Sequence, residues 1–331
     1  MNLFSRFIVS LASLLIFSPI LAVAQPLAGL RPAQTVLLYA DSFEGNVDTI
    51  YGKEIICAGF EMQDSNGLTG PETIDKVGVM RNVSDLARVD LYFPKKPNGQ
   101  MIVVCPGGGY SKLTTFKEGQ YVADWMLSKG IAVAVVKYRL PNGHWTVPLE
   151  DVHNAFRYCR ANADKWNIDQ IGVIGFSAGG HLAACASNLY VDAATRPDFS
   201  ILIYPVITFD FNIFSSRTRP SLIGDEEKWA GNEEKLSELV EYYSMEKRVT
   251  PDTPQTFISH CTNDKTLVEN SLLYYKSLVA NKVSVEMHIW KSGGHGWGFS
   301  SEKNVGKGND IFSAHRQDFY TVLERWLQSI R

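Results

Sequence analysis

From residue 100 onward the chain alternates short apolar runs with longer stretches of helical period. Apolar runs occupy 101–105 (MIVVC), 131–138 (IAVAVVKY), 170–175, 199–206, 255–260 and 283–290. They are rich in Val and Ile and show little alternation with polar residues, which is how strands buried on both faces read. Between them, helical spacing appears at 117–128 (ended by Gly130), 149–166, 182–188, about 268–281 and about 312–330. The order predicts an α/β fold, a mostly parallel central sheet with helices on both faces. The weaker runs at 36–40 and 88–93 lie among Gly- and Asn-rich loops and suit antiparallel strands leading into a mixed sheet. No repeat or low-complexity linker interrupts the pattern. One domain over 25–331 is expected, long for a single domain but within the range of α/β folds.

Residues 1–24 read differently. Arg6 precedes an uncharged apolar run from Phe7 to Phe17, Pro19 breaks it, and Ala22-Val23-Ala24 follows as a small-x-small site. That order predicts a cleaved bacterial signal peptide, and hence a secreted or periplasmic protein with no stable membrane insertion after cleavage. A retained anchor is the rival, because residues 7–24 carry no charge. Composition adds exclusions. Hydrophobic residues make up 45%, ample for a large core, and 32 Lys and Arg stand against 35 Asp and Glu with no basic block, so nucleic acid is not an expected partner. The five cysteines, Cys57, Cys105, Cys159, Cys185 and Cys261, cannot all pair, and no two have metal-ligand spacing. They are expected mainly as small buried hydrophobes, with one disulfide left open for an exported chain.

Four segments carry chemistry. Gly175-Phe176-Ser177-Ala178-Gly179 follows a predicted strand and opens a predicted helix, the setting in which G-x-S-x-G holds a nucleophilic serine on a sharp turn. Pro106-Gly107-Gly108-Gly109-Tyr110 follows the strand at 101–105 and offers backbone N–H groups for an oxyanion, paired with the N–H of Ala178. A phosphate cradle is the rival there, but neither a P-loop Lys-Ser/Thr nor G-x-G-x-x-G is present. A serine needs a base, and the base needs a carboxylate, in the chain order Ser, acid, His. Of seven histidines, only His295 sits in a glycine-rich loop after a late strand. Asp264, just past the strand at 255–260, is the expected acid, with Asp210 as runner-up. Tyr110 and Trp297 flank these loops and are candidates to stack on a sugar, or else packing residues.

With these motifs in place, the chain resembles the bacterial α/β-hydrolases related to acetylxylan esterases, within the wider esterase/lipase superfamily. The resemblance rests on Pro-Gly-Gly-Gly-Tyr, Gly-Phe-Ser-Ala-Gly-Gly-His-Leu, Asn-Asp-Lys and Gly-Gly-His-Gly-Trp-Gly in that order, with Tyr138-Arg139-Leu140-Pro141 and Val147-Pro148-Leu149-Glu150-Asp151 between. It covers roughly 85–330. It implies the α/β-hydrolase fold, Ser177, Asp264 and His295 as triad, and Gly108, Gly109 and Ala178 as oxyanion donors. The chain departs from many relatives in carrying Pro106 before the glycines.

The expected activity is a secreted serine carboxylesterase that deacetylates plant polysaccharide such as acetylxylan or its oligosaccharides, or a small ester, with no metal or cofactor required. A serine peptidase, a feruloyl-type esterase and a non-catalytic binding protein are the alternatives. The stretch 208–253 reads as an insertion over the site, with Phe209, Phe211 and Phe214 followed by a charged helix at about 225–243. A solvated helix there favours short acyl groups over lipid.

Overall fold

The computed structural model describes residues 30–40, 55–211, 213, 217–300 and 310–331. The leader expected at 1–24 and Phe214 lie outside the described residues. Twelve strands occur among these residues: β1 (Gln34–Tyr39), β2 (Ile55–Phe60), β3 (Thr73–Ile74), β4 (Val79–Arg81), β5 (Arg88–Tyr92), β6 (Gln100–Cys105), β7 (Leu113–Thr114), β8 (Ala132–Lys137), β9 (Gln170–Phe176), β10 (Phe199–Ile203), β11 (Gln255–Cys261) and β12 (Val285–Trp290). The helices are α1 (Tyr121–Ser128), α2 (Val147–Ala161), α3 (Ala163–Trp166), α4 (Ala178–Asn188), α5 (Thr218–Ile223), α6 (Glu233–Tyr242), α7 (Glu269–Ala280) and α8 (Arg316–Ser329). Among the described residues no helix is long and apolar enough to cross a membrane.

Nine strands form one sheet in the order β12-β11-β10-β9-β6-β8-β5-β1-β2, and β3, β4 and β7 form a small second sheet. From β8 to β12 every pairing is parallel. The leading strands are antiparallel as expected, β5 to both β1 and β8. The parallel edge strand β2 and the second sheet were not legible in the sequence. The strands of the second sheet, two or three residues each, carry no measurable period.

Side chains alternate across the pleat and build two cores. Met101, Val103, Ala134, Val173 and Ile258 face one side, under α2, α4 and α7. Ile102, Val104, Val133, Ile174 and Phe257 face the other, under α1 and α8. Both faces are therefore covered, which is why the strands read as unbroken apolar runs. The helix expected at 149–166 is two, because the backbone breaks at Asn162, whose side chain bonds back to Tyr158 O. The helix expected from 225 starts only at Glu233; turns precede it, with Gly231 at φ +80°. All five thiols are free, and Cys57 is exposed rather than buried.

Candidate active site

Register aligns the ends of the central strands. Cys105 lies opposite Gly175, and Phe176 opposite Ile203. The loops that follow β6, β9, β11 and β12 therefore emerge at one carboxyl edge, where open α/β sheets hold ligands.

Ser177 sits between β9 and α4 with φ 54° and ψ −119°. A non-glycine residue there carries strain of about 1–3 kcal/mol. Three backbone bonds hold it: Ser177 N–H to Ile203 O, and the N–H groups of His181 and Val206 to Ser177 O, each 3.1 Å. The flanking glycines are sterically required. A Cβ on Gly175 would lie 2.0 Å from Gly179 O, and one on Gly179 would lie 2.1 Å from Cys105 O.

His295 Nε2 is 2.8 Å from Ser177 Oγ. On its other side Nδ1 reaches the Asp264 carboxylate, 2.9 Å from Oδ2 and 2.8 Å from Oδ1. Asp264 also accepts the Thr266 N–H at 2.7 Å. Burial works against its charge, but hydrogen bonds from His260, His295 and the Thr266 N–H hold the carboxyl below its ordinary range. Asn263 accepts the Gly294 N–H at 2.9 Å and so clamps the acid loop to the histidine loop. Asp210, the runner-up acid, stands in a turn whose N–H bonds Thr208 Oγ1, and the imidazole faces Asp264 instead.

The glycine loop lies against the serine, since a Cβ on Gly107 would be 3.1 Å from Ser177 Cβ. The Gly107 N–H is donated to Glu118 Oε2 at 2.7 Å. Among the described residues no acceptor takes the N–H of Gly108 or Gly109. Gly108, Gly109, Ser177 and His295 share one cleft of about 1020 Å³.

A family model described as BD-FAE matches residues 89–278. The chain belongs to the BD-FAE family. The BD-FAE match takes in the glycine loop, Ser177 and Asp264, while His295 lies beyond it. The chain is 36% identical over 256 residues to an acetylxylan esterase of Xylanibacter ruminicola, covering 75% of this chain and 50% of that one. It is 33% identical over 214 residues to endo-1,4-beta-xylanase B of Butyrivibrio fibrisolvens, covering 59% and 32%. The chain thus spans half or less of the length of these relatives. Among solved structures, an acetyl ester-xyloside bifunctional hydrolase from Caldicellulosiruptor lactoaceticus superposes with a TM-score of 0.59 at 31% identity, covering 74% of this chain and 88% of that one. A carboxylesterase from Lactobacillus plantarum gives 0.60 at 21% identity, covering 73% and 92%, and shows the fold alone. The fold of this BD-FAE member is the α/β-hydrolase fold.

Two expected substrate-binding residues are corrected. Tyr110 is 1% exposed, and its hydroxyl lies 3.0 Å from His181 Nδ1. Trp297 is 2% exposed and stacks on Phe312 at 4.0 Å. Neither ring face is open to a sugar; both are packing residues. Burial pushes the His181 pKa down to about 4, although its bond to Tyr243 O opposes this, so the ring is neutral. Of the insertion's phenylalanines, Phe209 is buried on His181, and Phe211 is exposed under the Arg219 guanidinium.

Sequence reasoning missed Glu118 and Tyr204. Buried Glu118 accepts from Gly107 N–H and from the Tyr204 hydroxyl at 2.8 Å. Tyr204 in turn accepts the Gly298 N–H at 2.8 Å and sets its ring edge-on to His295 at 5.0 Å. One carboxyl group thereby links the glycine loop, the end of β10 and the histidine loop. Burial raises its pKa, and the bonds from Tyr204 and Gly107 oppose the rise.

Proposed function

We propose that the protein is a secreted serine carboxylesterase that removes acetyl groups from plant polysaccharide such as acetylxylan or its oligosaccharides. The observation that carries this reading is the unbroken chain from Ser177 Oγ through the His295 imidazole to the Asp264 carboxylate, at 2.8 and 2.9 Å. On this reading His295 Nε2 takes the Ser177 proton as Oγ attacks the acetyl carbonyl. Asp264 keeps the other nitrogen protonated and stabilises the imidazolium. The N–H groups of Gly108, Gly109 and Ala178 hold the oxyanion of the tetrahedral intermediate. As the intermediate collapses His295 gives that proton to the departing sugar oxygen, which leaves as a hydroxyl, and water then repeats the sequence on the acyl-serine to free acetate.

The substrate assignment draws support from the acetylxylan esterase relative and the acetyl ester-xyloside hydrolase structure. Export, with a mature domain from residue 25 onward, draws support from the apolar leader and its Ala-x-Ala site. The test is acetate release from acetylated xylan by the wild-type chain and by Ser177→Ala. Release by the wild type alone supports the reading, and release by both overturns it.

A further inference from the structure

Among the described residues, Lys112, Lys117, Arg217 and Lys265 line the cleft that holds Ser177 and His295, together with one carboxylate, Glu118. Each cation belongs to a segment that builds the site. A Cβ on Gly108 would sit 2.9 Å from Lys112 Cγ, and one on Gly109 3.9 Å from Arg217 Cβ. The Lys117 carbonyl accepts the Phe299 N–H at 2.9 Å, next to the histidine loop. Lys265 directly follows Asp264.

Among the described residues no nearby carboxylate neutralises them. Both Glu118 oxygens are occupied inside the protein. Asp264 is committed to His295, Asp75 pairs with Arg81, and Asp310, which lies close enough to feel Lys117, is bound to Arg316. Among the described residues none of the four cations forms an ion pair. This concentration of positive charge sits in a chain of formal charge −3. The reacting ester is neutral, and its transient oxyanion already faces backbone donors. Four further cations can donate to sugar hydroxyls, but only an anionic ligand would balance their charge.

We propose that the cleft is built for an acidic glycan, a sugar chain bearing uronic acid carboxylates close to the scissile acetyl group. This rests on the esterase reading for which ester is cut and adds the charge class of the chain that carries it. Cleft walls of low dielectric focus the field of such cations on an incoming anion. Part-exposed pairs of this kind, acting together, give roughly a tenfold preference at low salt, weakening as salt screens them.

The test is calorimetric titration of the full chain with three non-acetylated oligosaccharides of equal length. They are a neutral xylo-oligosaccharide, the same chain with a glucuronic acid branch, and a galacturonic acid oligomer. The expected result is that at least one acidic chain binds about tenfold tighter than the neutral one, and that added salt narrows the gap. Lys265→Gln should reduce the gap and Lys112→Gln with Lys265→Gln should nearly close it, with melting temperature confirming that both variants fold. Equal or tighter binding of the neutral chain overturns the proposal, as does a gap that survives in the folded double variant. Because no turnover is involved, the two readings fail separately. Loss of Ser177-dependent acetate release from 4-nitrophenyl acetate sinks the esterase reading alone, and the binding ratio sinks this one alone.

Discussion

Replacing Gly179 by Ala adds one methyl group at a tight backbone contact beneath the serine. The new Cβ would lie 2.1 Å from Cys105 O and 2.5 Å from Pro106 O, where ordinary contact is 3.4–4 Å. Both are backbone atoms at the root of the glycine loop, not the tips of flexible side chains. Either α4 or that loop must therefore retreat by roughly 1 Å in a close-packed interior. Overpacking of this kind costs about 1–3 kcal/mol of stability. The rate suffers separately, because the movement separates Ala178 and Ser177 on one side from Gly108 and Gly109 on the other. A 1 Å misplacement of reacting groups costs about a hundredfold, or about 2.7 kcal/mol in the barrier. The assay is kcat and KM on 4-nitrophenyl acetate beside the melting temperature. Gly231→Ala is the control: no atom lies within 4 Å of its added Cβ, and its φ of +80° makes backbone strain the cost. It should lose stability and keep kcat. A Gly179→Ala protein with wild-type kcat/KM and melting temperature would refute the steric argument and the placement of the oxyanion donors with it.

Ser177→Ala should remove ester hydrolysis by about six orders of magnitude in kcat while retaining the fold; near-normal turnover in the folded variant would discard the nucleophile. Asp264→Asn should lower kcat by about four orders of magnitude and Asp210→Asn far less, and a reversed ranking would reassign the acid. Glu118→Leu leaves the Gly107 N–H and the Tyr204 hydroxyl without their shared acceptor, a cost of about 1–3 kcal/mol for each buried group. Its kcat should fall well below that of Glu118→Gln, which keeps one acceptor oxygen, and equal kcat in the two variants would deny the carboxyl group its bracing role. Along acetyl, butyryl, octanoyl and feruloyl esters of one leaving group, kcat/KM should be highest for acetyl. The exposed face of α6 bears Glu233, Glu234, Glu238 and Glu241 and offers no lipid surface, so an octanoyl optimum would contradict this and a feruloyl optimum would redirect the substrate to phenolic esters.

Contiguous residues determined much of this protein. Strand after strand from 100 onward was legible because both faces of the sheet are covered, leaving unbroken Val- and Ile-rich runs. The serine turn was legible because its steric demands fall on Gly175 and Gly179, two residues to either side. Asp264 and His295 could be picked out as strand-end residues in the order this fold uses. What joins them was not written locally. Asn263 meets Gly294 across 31 residues, and Tyr204 meets Glu118 across 86. Such contacts depend on strand register and on how loops close over the sheet edge. Tyr110 and Trp297 show the converse. Chain neighbours of the site, they point into the interior, Tyr110 from a backbone at φ 56° and Trp297 against Phe312. The four cations are scattered from Lys112 to Lys265 and form no charge block in the sequence, and only the folding of three separate segments onto one carboxyl edge brings them around a single cleft. Turn chemistry acts over a few bonds and is spelled by adjacent residues, whereas electric field and burial are properties of distance in space, which the chain acquires only when the sheet has formed.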